Sequence, residues 1–142
     1  MPSHSLTRPF AVAGARAAAV VATLALAAAL AACGDGSGLG FDSAPAALDP
    51  NSPKIGAIDT TFDTSKIDVK AGAAFILVFE NRENVGHNVS IYTDAGHTQR
   101  TFEGKVFSGP ATRWYPVPAL AAGTYYFQCD LHGNMTGTLV AT

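Results

Sequence analysis

Three residues with metal-binding side chains stand at even spacing near the end of the chain: Cys129, His132 and Met135, in the stretch Tyr125-Tyr126-Phe127-Gln128-Cys129-Asp130-Leu131-His132-Gly133-Asn134-Met135. Cys129 and Met135 are the only sulfur-bearing residues beyond position 33. On a helix the first and last of the three would lie about 9 Å apart along the axis on diverging faces, out of reach of a single ion. They converge only if the chain curls. Gly133 and Asn134 are turn formers, and the strand-like run Thr136-Gly137-Thr138-Leu139-Val140 resumes at once, so a tight loop between two strands is the natural reading. Thiolate, imidazole and thioether make a soft donor set, which selects copper, above all copper(I), over zinc or calcium. A structural zinc site would use several Cys or His and no Met, and a binuclear copper site needs two cysteines where this stretch has one. A fourth donor is available in His87, which follows the break at Gly86 and opens a strand with Val89 and Ile91 on its own face, so its ring is expected to point inward.

The elements that must position these side chains read as strands. From Lys54 onward, β-branched and aromatic residues come in short runs broken by Gly, Pro, Asn and Asp. The runs are Ile55–Thr61, Lys66–Val69, Phe75–Glu80, His87–Tyr92, Thr112–Val117, Thr124–Cys129 and Thr136–Ala141. No amphipathic helix is apparent. Some seven or eight short strands in one small domain predict an all-β fold, an antiparallel β-sandwich. Phe75-Ile76-Leu77-Val78-Phe79 reads as a central strand covered on both faces. Period-two alternation puts the Cys129 thiol on the same face as Tyr125 and Phe127, inward.

The first third of the chain differs. Arg8 and Arg16 precede an alanine-rich apolar run, Ala17 to Ala32, which reads as a secretory signal over residues 1–32 and is short and weakly apolar for a membrane span. Leu30-Ala31-Ala32-Cys33 resembles the lipobox of bacterial lipoproteins, which implies acylation of Cys33 and a durable membrane anchor. Residues 33–53, rich in Gly, Ser, Ala, Asp and Pro, read as a flexible linker reaching about 25 Å. The domain proper is expected over 54–142. Removing the signal takes two of the nine basic residues and none of the eleven acidic ones, leaving seven against eleven and a net charge of −4. An acidic chain without a basic cluster excludes a nucleic-acid partner. With Cys33 committed to lipid, Cys129 has no disulfide partner in an exported chain, and ligation to a metal is the commonest reason to keep such a thiol.

The spacing Cys129-x2-His132-x2-Met135, the upstream Asn81-Arg82-Glu83 followed by His87-Asn88-Val89, and the tail Met135-Thr136-Gly137-Thr138-Leu139-Val140 together resemble the cupredoxins, the type 1 blue copper proteins, most of all the amicyanin and plastocyanin-type bacterial members, over roughly 66–142. The resemblance implies a Greek-key sandwich holding one copper ion near one end. It implies that His87, Cys129 and His132 form a trigonal plane with Met135 as a weak axial contact. Asn88 would tie the His87 strand to the cysteine loop. It also implies a one-electron carrier, not an enzyme, that docks transiently on redox proteins such as a cytochrome, a dehydrogenase or an oxidase. The carrier is expected to be a monomer on the extracytoplasmic or periplasmic side. Two features depart from the pattern: no proline flanks His132, and Asp130 places a carboxylate beside the thiolate, where an anion favours the oxidised ion. Two other functions compete. A copper chaperone would hand over the ion itself, and a Cys129–His132 nucleophile pair would do covalent chemistry, although nothing marks a substrate pocket.

Overall fold

The computed structural model describes residues 39–142, which form eleven strands and no helix. The signal peptide expected over 1–32 and the acylation expected at Cys33 lie outside the described residues. The strands are β1 (Lys54–Ile58), β2 (Thr61–Phe62), β3 (Lys66–Val69), β4 (Phe75–Asn81), β5 (Gly86–His87), β6 (Ser90–Tyr92), β7 (Arg100–Glu103), β8 (Phe107–Ser108), β9 (Ala111–Val117), β10 (Gly123–Cys129) and β11 (His132–Ala141). One sheet has the order β2-β1-β4-β9 and the other β3-β11-β10-β6-β7, with β5 and β8 forming a separate short pair.

Each of the seven runs read from the sequence is present, but the count rises to eleven for physical reasons. The run Ile55–Thr61 is cut at Asp59-Thr60, both with φ near +52°, which closes a two-residue hairpin between β1 and β2. The run His87–Tyr92 is cut at Asn88-Val89. β7 and β8 were not anticipated, because Arg100-Thr101-Phe102-Glu103 carries one apolar residue and β8 is only two residues long. The sandwich is also not purely antiparallel. β1 pairs parallel with β4, and β3 pairs parallel with β11. Strands that pair in parallel need a crossover rather than a hairpin, and here the chain crosses to the other sheet through β3 between β1 and β4.

The core is stitched by aromatic rings on inward-facing positions. Phe79 of β4 contacts Phe62, Phe107 and Tyr115, and Phe62 reaches Phe127 of the opposite sheet with ring centroids 5.6 Å apart. Such tilted and edge-on pairs add to the burial energy of rings already removed from water. β4 lies between β1 and β9, and Leu77, Val78 and Phe79 are all buried, as expected for a strand covered on both faces. Cys129 and Met135 belong to this same core.

The stretch 39–42, read from the sequence as part of a flexible linker, is bonded to the sandwich. Leu39 N donates to Glu103 O, Lys105 N to Leu39 O, and Phe41 and Trp114 exchange both backbone hydrogen bonds. β9 and β7 are the edges of their two sheets, so this short stretch covers unpaired backbone groups on both. Gly40 lies against the Tyr115 ring, and a Cβ there would come within 2.9 Å of it. Asp42 pairs with Arg113 at 2.9 Å. The correction applies to these residues because backbone pairing needs no particular side chains, and a Gly-rich composition conceals it.

Candidate metal centre

The β10–β11 hairpin places three of the four expected donors. Gln128 lies opposite Thr136 and Cys129 opposite His132, so the register shifts between them and Gly133, Asn134 and Met135 have no residue facing them across the ladder. The turn itself is Asp130-Leu131. Gly133 and Asn134, expected to make that turn, form instead the bulge that follows it. A bulge of this kind bends its strand and re-aims a side chain, and Met135 accordingly turns into the core at 1% exposure. Cys129 is fully buried beside Phe127 on the inward face of β10. His87 comes from β5, in the short pair with β8, and is also fully buried.

His87 and His132 each direct Nδ1 at the Cys129 Sγ, and both separations are 3.6 Å. The donor atoms of these three residues all lie within 4.8 Å of one another, and the two imidazole rings are 4.7 Å apart between centroids. Bonds of about 2.0 Å to nitrogen and about 2.3 Å to sulfur, meeting at roughly 120°, put their donors about 3.7 Å apart. The observed spacing therefore suits one first-row ion held between the three, and a thiolate with two imidazoles and a thioether, the last offered by Met135 of the same core cluster, is a copper-type donor set.

Glu83, which the sequence offers only as part of the Asn81-Arg82-Glu83 motif and with no role of its own, sets the orientation of the His87 ring. Its Oε1 lies 2.8 Å from His87 Nε2. Backbone donation from Thr60, at 2.9 Å, holds the Glu83 carboxyl below its ordinary range, with the His87 contact adding to the effect against the opposing influence of burial. A carboxylate only accepts hydrogen bonds, so Nε2 carries a proton, and a neutral ring then has its Nδ1 lone pair free on the side of the thiol. The signal available in the sequence was the i, i+4 spacing of Glu83 and His87, and that spacing has no meaning outside a helix until the loop is folded.

Asn88 and Asp130 connect the two parts of the chain. Asp130 N donates to Asn88 Oδ1 at 2.9 Å, and Asn88 Nδ2 donates to Asp130 Oδ2 at 2.7 Å and to Gly104 O at 2.9 Å. The Asp130 carboxylate also accepts from the Ser90 and Tyr92 hydroxyls. Burial pushes its pKa up, but donation from Ser90, Tyr92 and Asn88 and the charge of Arg100 outweigh that and hold it below the ordinary value of 3.8. His97 takes no part in the donor group: its ring stands edge-on to Tyr92 at 5.2 Å and to Tyr126 at 6.4 Å.

Residues 17–141 match the family described as cupredoxin-like domain. The chain belongs to this family. Among solved structures, amicyanin from Paracoccus versutus (Thiobacillus versutus) is similar at 21% identity and a TM-score of 0.52, over 68% of this chain and 87% of that one. Auracyanin A, described as a "blue" copper protein from the green thermophilic photosynthetic bacterium Chloroflexus aurantiacus, is similar at 22% identity and a TM-score of 0.56, over 64% of this chain and 98% of that one. Auracyanin from Roseiflexus castenholzii gives 19% identity and a TM-score of 0.56, over 64% and 96%. At these identities the likeness speaks to the fold. No curated protein matches. The cupredoxin fold and the His87, Cys129, His132 and Met135 cluster together fit one copper ion per chain.

If Glu83 orients His87, then Glu83→Ala weakens copper binding by about 10- to 100-fold, whereas Glu83→Gln, which keeps an acceptor oxygen, loses less. Competition of each variant against a copper chelator measures this, and an affinity of Glu83→Ala within about twofold of the parent contradicts the assignment.

Proposed function

We propose that this cupredoxin is a one-electron carrier whose copper would be held by His87, Cys129 and His132 together with Met135. The observation that carries the reading is the convergence of two imidazole Nδ1 atoms on one buried thiol at 3.6 Å each. Copper bound there supplies reversible one-electron chemistry. The chain's own contribution is to fix the donors. His87 is locked by Glu83, Cys129 is seated in the core, and His132 is placed across the turn from it, so little has to move when the charge of the site changes. The half-buried His132 lies at the mouth of the site. Val85, Val106 and Leu131 are exposed large apolar residues of the neighbouring loops, with Val106 and Leu131 both beside Gly86. An apolar rim of this kind suits brief docking over a small area, and the partners proposed are redox proteins, a cytochrome or a dehydrogenase or oxidase. We further propose that the protein is exported and works as a monomer on an N-terminal lipid anchor at Cys33, a reading supported by the lipobox-like Leu30-Ala31-Ala32-Cys33.

Cupric ion added to the protein is expected to give an intense visible thiolate-to-copper absorption with narrow hyperfine splitting in the electron paramagnetic spectrum, and Cys129→Ser is expected to abolish both. A colourless complex, or rapid transfer of copper to an apo acceptor without change of redox state, contradicts electron carriage. The anchor has its own test: Cys33→Ser releases the protein from the membrane fraction of the producing cell, and an unchanged distribution contradicts lipidation at that residue.

A further inference from the structure

The turn that carries Cys129 and His132 is two residues long and contains neither proline nor disulfide, yet it must hold two donors in place. The Asp130 side chain, 23% exposed, faces β6 instead of solvent. Its Oδ2 accepts from Ser90 Oγ at 2.6 Å and from Asn88 Nδ2 at 2.7 Å, and Arg100 Nη1 stands 3.5 Å away. Its Oδ1 accepts from the Tyr92 hydroxyl, and its backbone N–H donates to Asn88 Oδ1. Ser90 and Tyr92 are alternate residues of β6, which pairs with β10 directly beside the turn. Hydrogen bonds to an ionised acceptor are about twice as strong as neutral ones, and four donors converge on this carboxylate, three from the stretch Asn88 to Tyr92 and one from β7.

We propose that Asp130 is a positioning residue for the metal centre: its carboxylate clamps the ligand turn onto β6 and so holds the spacing between the Cys129 thiol and the His132 ring. The link to copper rests on the proposed function above, but the clamp is a property of the protein alone. It also changes what the charge of Asp130 does. The Arg100 guanidinium, 3.5 Å from Oδ2, offsets part of the charge of this carboxylate and so weakens its field at the thiolate. Positioning, more than charge, is then its effect on the site.

Hydrogen–deuterium exchange of the full-length protein, with and without copper, tests the clamp. In Asp130→Ala the amides of Asp130 to Gly133 are expected to exchange about tenfold faster, the scale of one lost hydrogen bond to a charged acceptor. Phe127 and Leu139 should keep their parent rates. Asp130→Asn keeps one acceptor oxygen but puts an NH2 donor where the other stood, so it should recover only part of the protection. In the copper-loaded form the relative intensities of the thiolate-to-copper bands should change in Asp130→Ala and move back toward the parent's in Asp130→Asn. Parent exchange rates in Asp130→Ala overturn the clamp, and if they come with a shifted reduction potential, the role of Asp130 is electrostatic instead. Should Asp130→Ala fail to fold, Tyr92→Phe decides: faster exchange confined to the turn supports the proposal, and unchanged exchange overturns it. A parent protein that gives no thiolate-to-copper band refutes electron carriage, while exchange in the copper-free protein still decides the clamp.

Discussion

A thiol buried in a hydrophobic core, with two imidazole nitrogens aimed at its sulfur, is an arrangement that the rest of the molecule has to enforce. Cys129, Phe127 and Met135 sit in one core cluster, and His87 is as fully buried as they are. Polar groups taken from water at such a place cost free energy unless they find partners. Here the partners are each other and Glu83 on the far nitrogen of His87. Sandwich packing supplies the rigidity, because interiors at crystal-like density do not let a side chain drift by even a methylene's width without cost.

Three pieces of chain deliver the donors to this point, and each uses a different local device. β10 brings Cys129 by simple alternation. The three-residue register shift after the Asp130-Leu131 turn brings Met135 round to the core, which a continuous ladder would not do. β5 brings His87 from more than forty residues upstream, and Asn88, next to it, bonds to the backbone and side chain of Asp130 so that the two parts of the site are tied together. Gly104 completes the connection: its carbonyl accepts from Asn88, its N–H donates to Val89, and a Cβ there would come within 2.7 Å of both the Tyr115 ring and the Val89 carbonyl oxygen. That close approach requires glycine. Through Leu39, Glu103 and Lys105 the same corner is joined to the first described residues of the chain.

The parts of this arrangement that were legible in the sequence are the local ones. The spacing of Cys129, His132 and Met135 restricts the chain to a curl, and softness of the donors points to copper, and both follow before any fold is known. His87 was legible because Gly86 marks a strand start and Val89 and Ile91 set the inward face. Relations that exist only after folding were not legible. Glu83 looks like any acidic loop residue until the loop turns it onto His87. In the sequence Asp130 is only a charge beside the thiolate, whereas in the fold its carboxylate is directed onto Ser90 and Tyr92. The pairing of 39–41 with both sheet edges, and the parallel pairs β1–β4 and β3–β11, are made by backbone groups that every residue carries. Period and composition say which face of a strand is buried, and leave open which strand lies beside it.

The donors of His87, Cys129 and His132 already stand where a single copper ion needs them. Diffraction from crystals of the copper-loaded protein, collected at the copper absorption edge, tests this placement most directly. One anomalous peak per chain is expected, enclosed by the Nδ1 atoms of His87 and His132 and the Sγ of Cys129, with Glu83 still bonded to His87 Nε2. A peak elsewhere, or a His87 ring rotated away from Cys129 when the metal is bound, would contradict it.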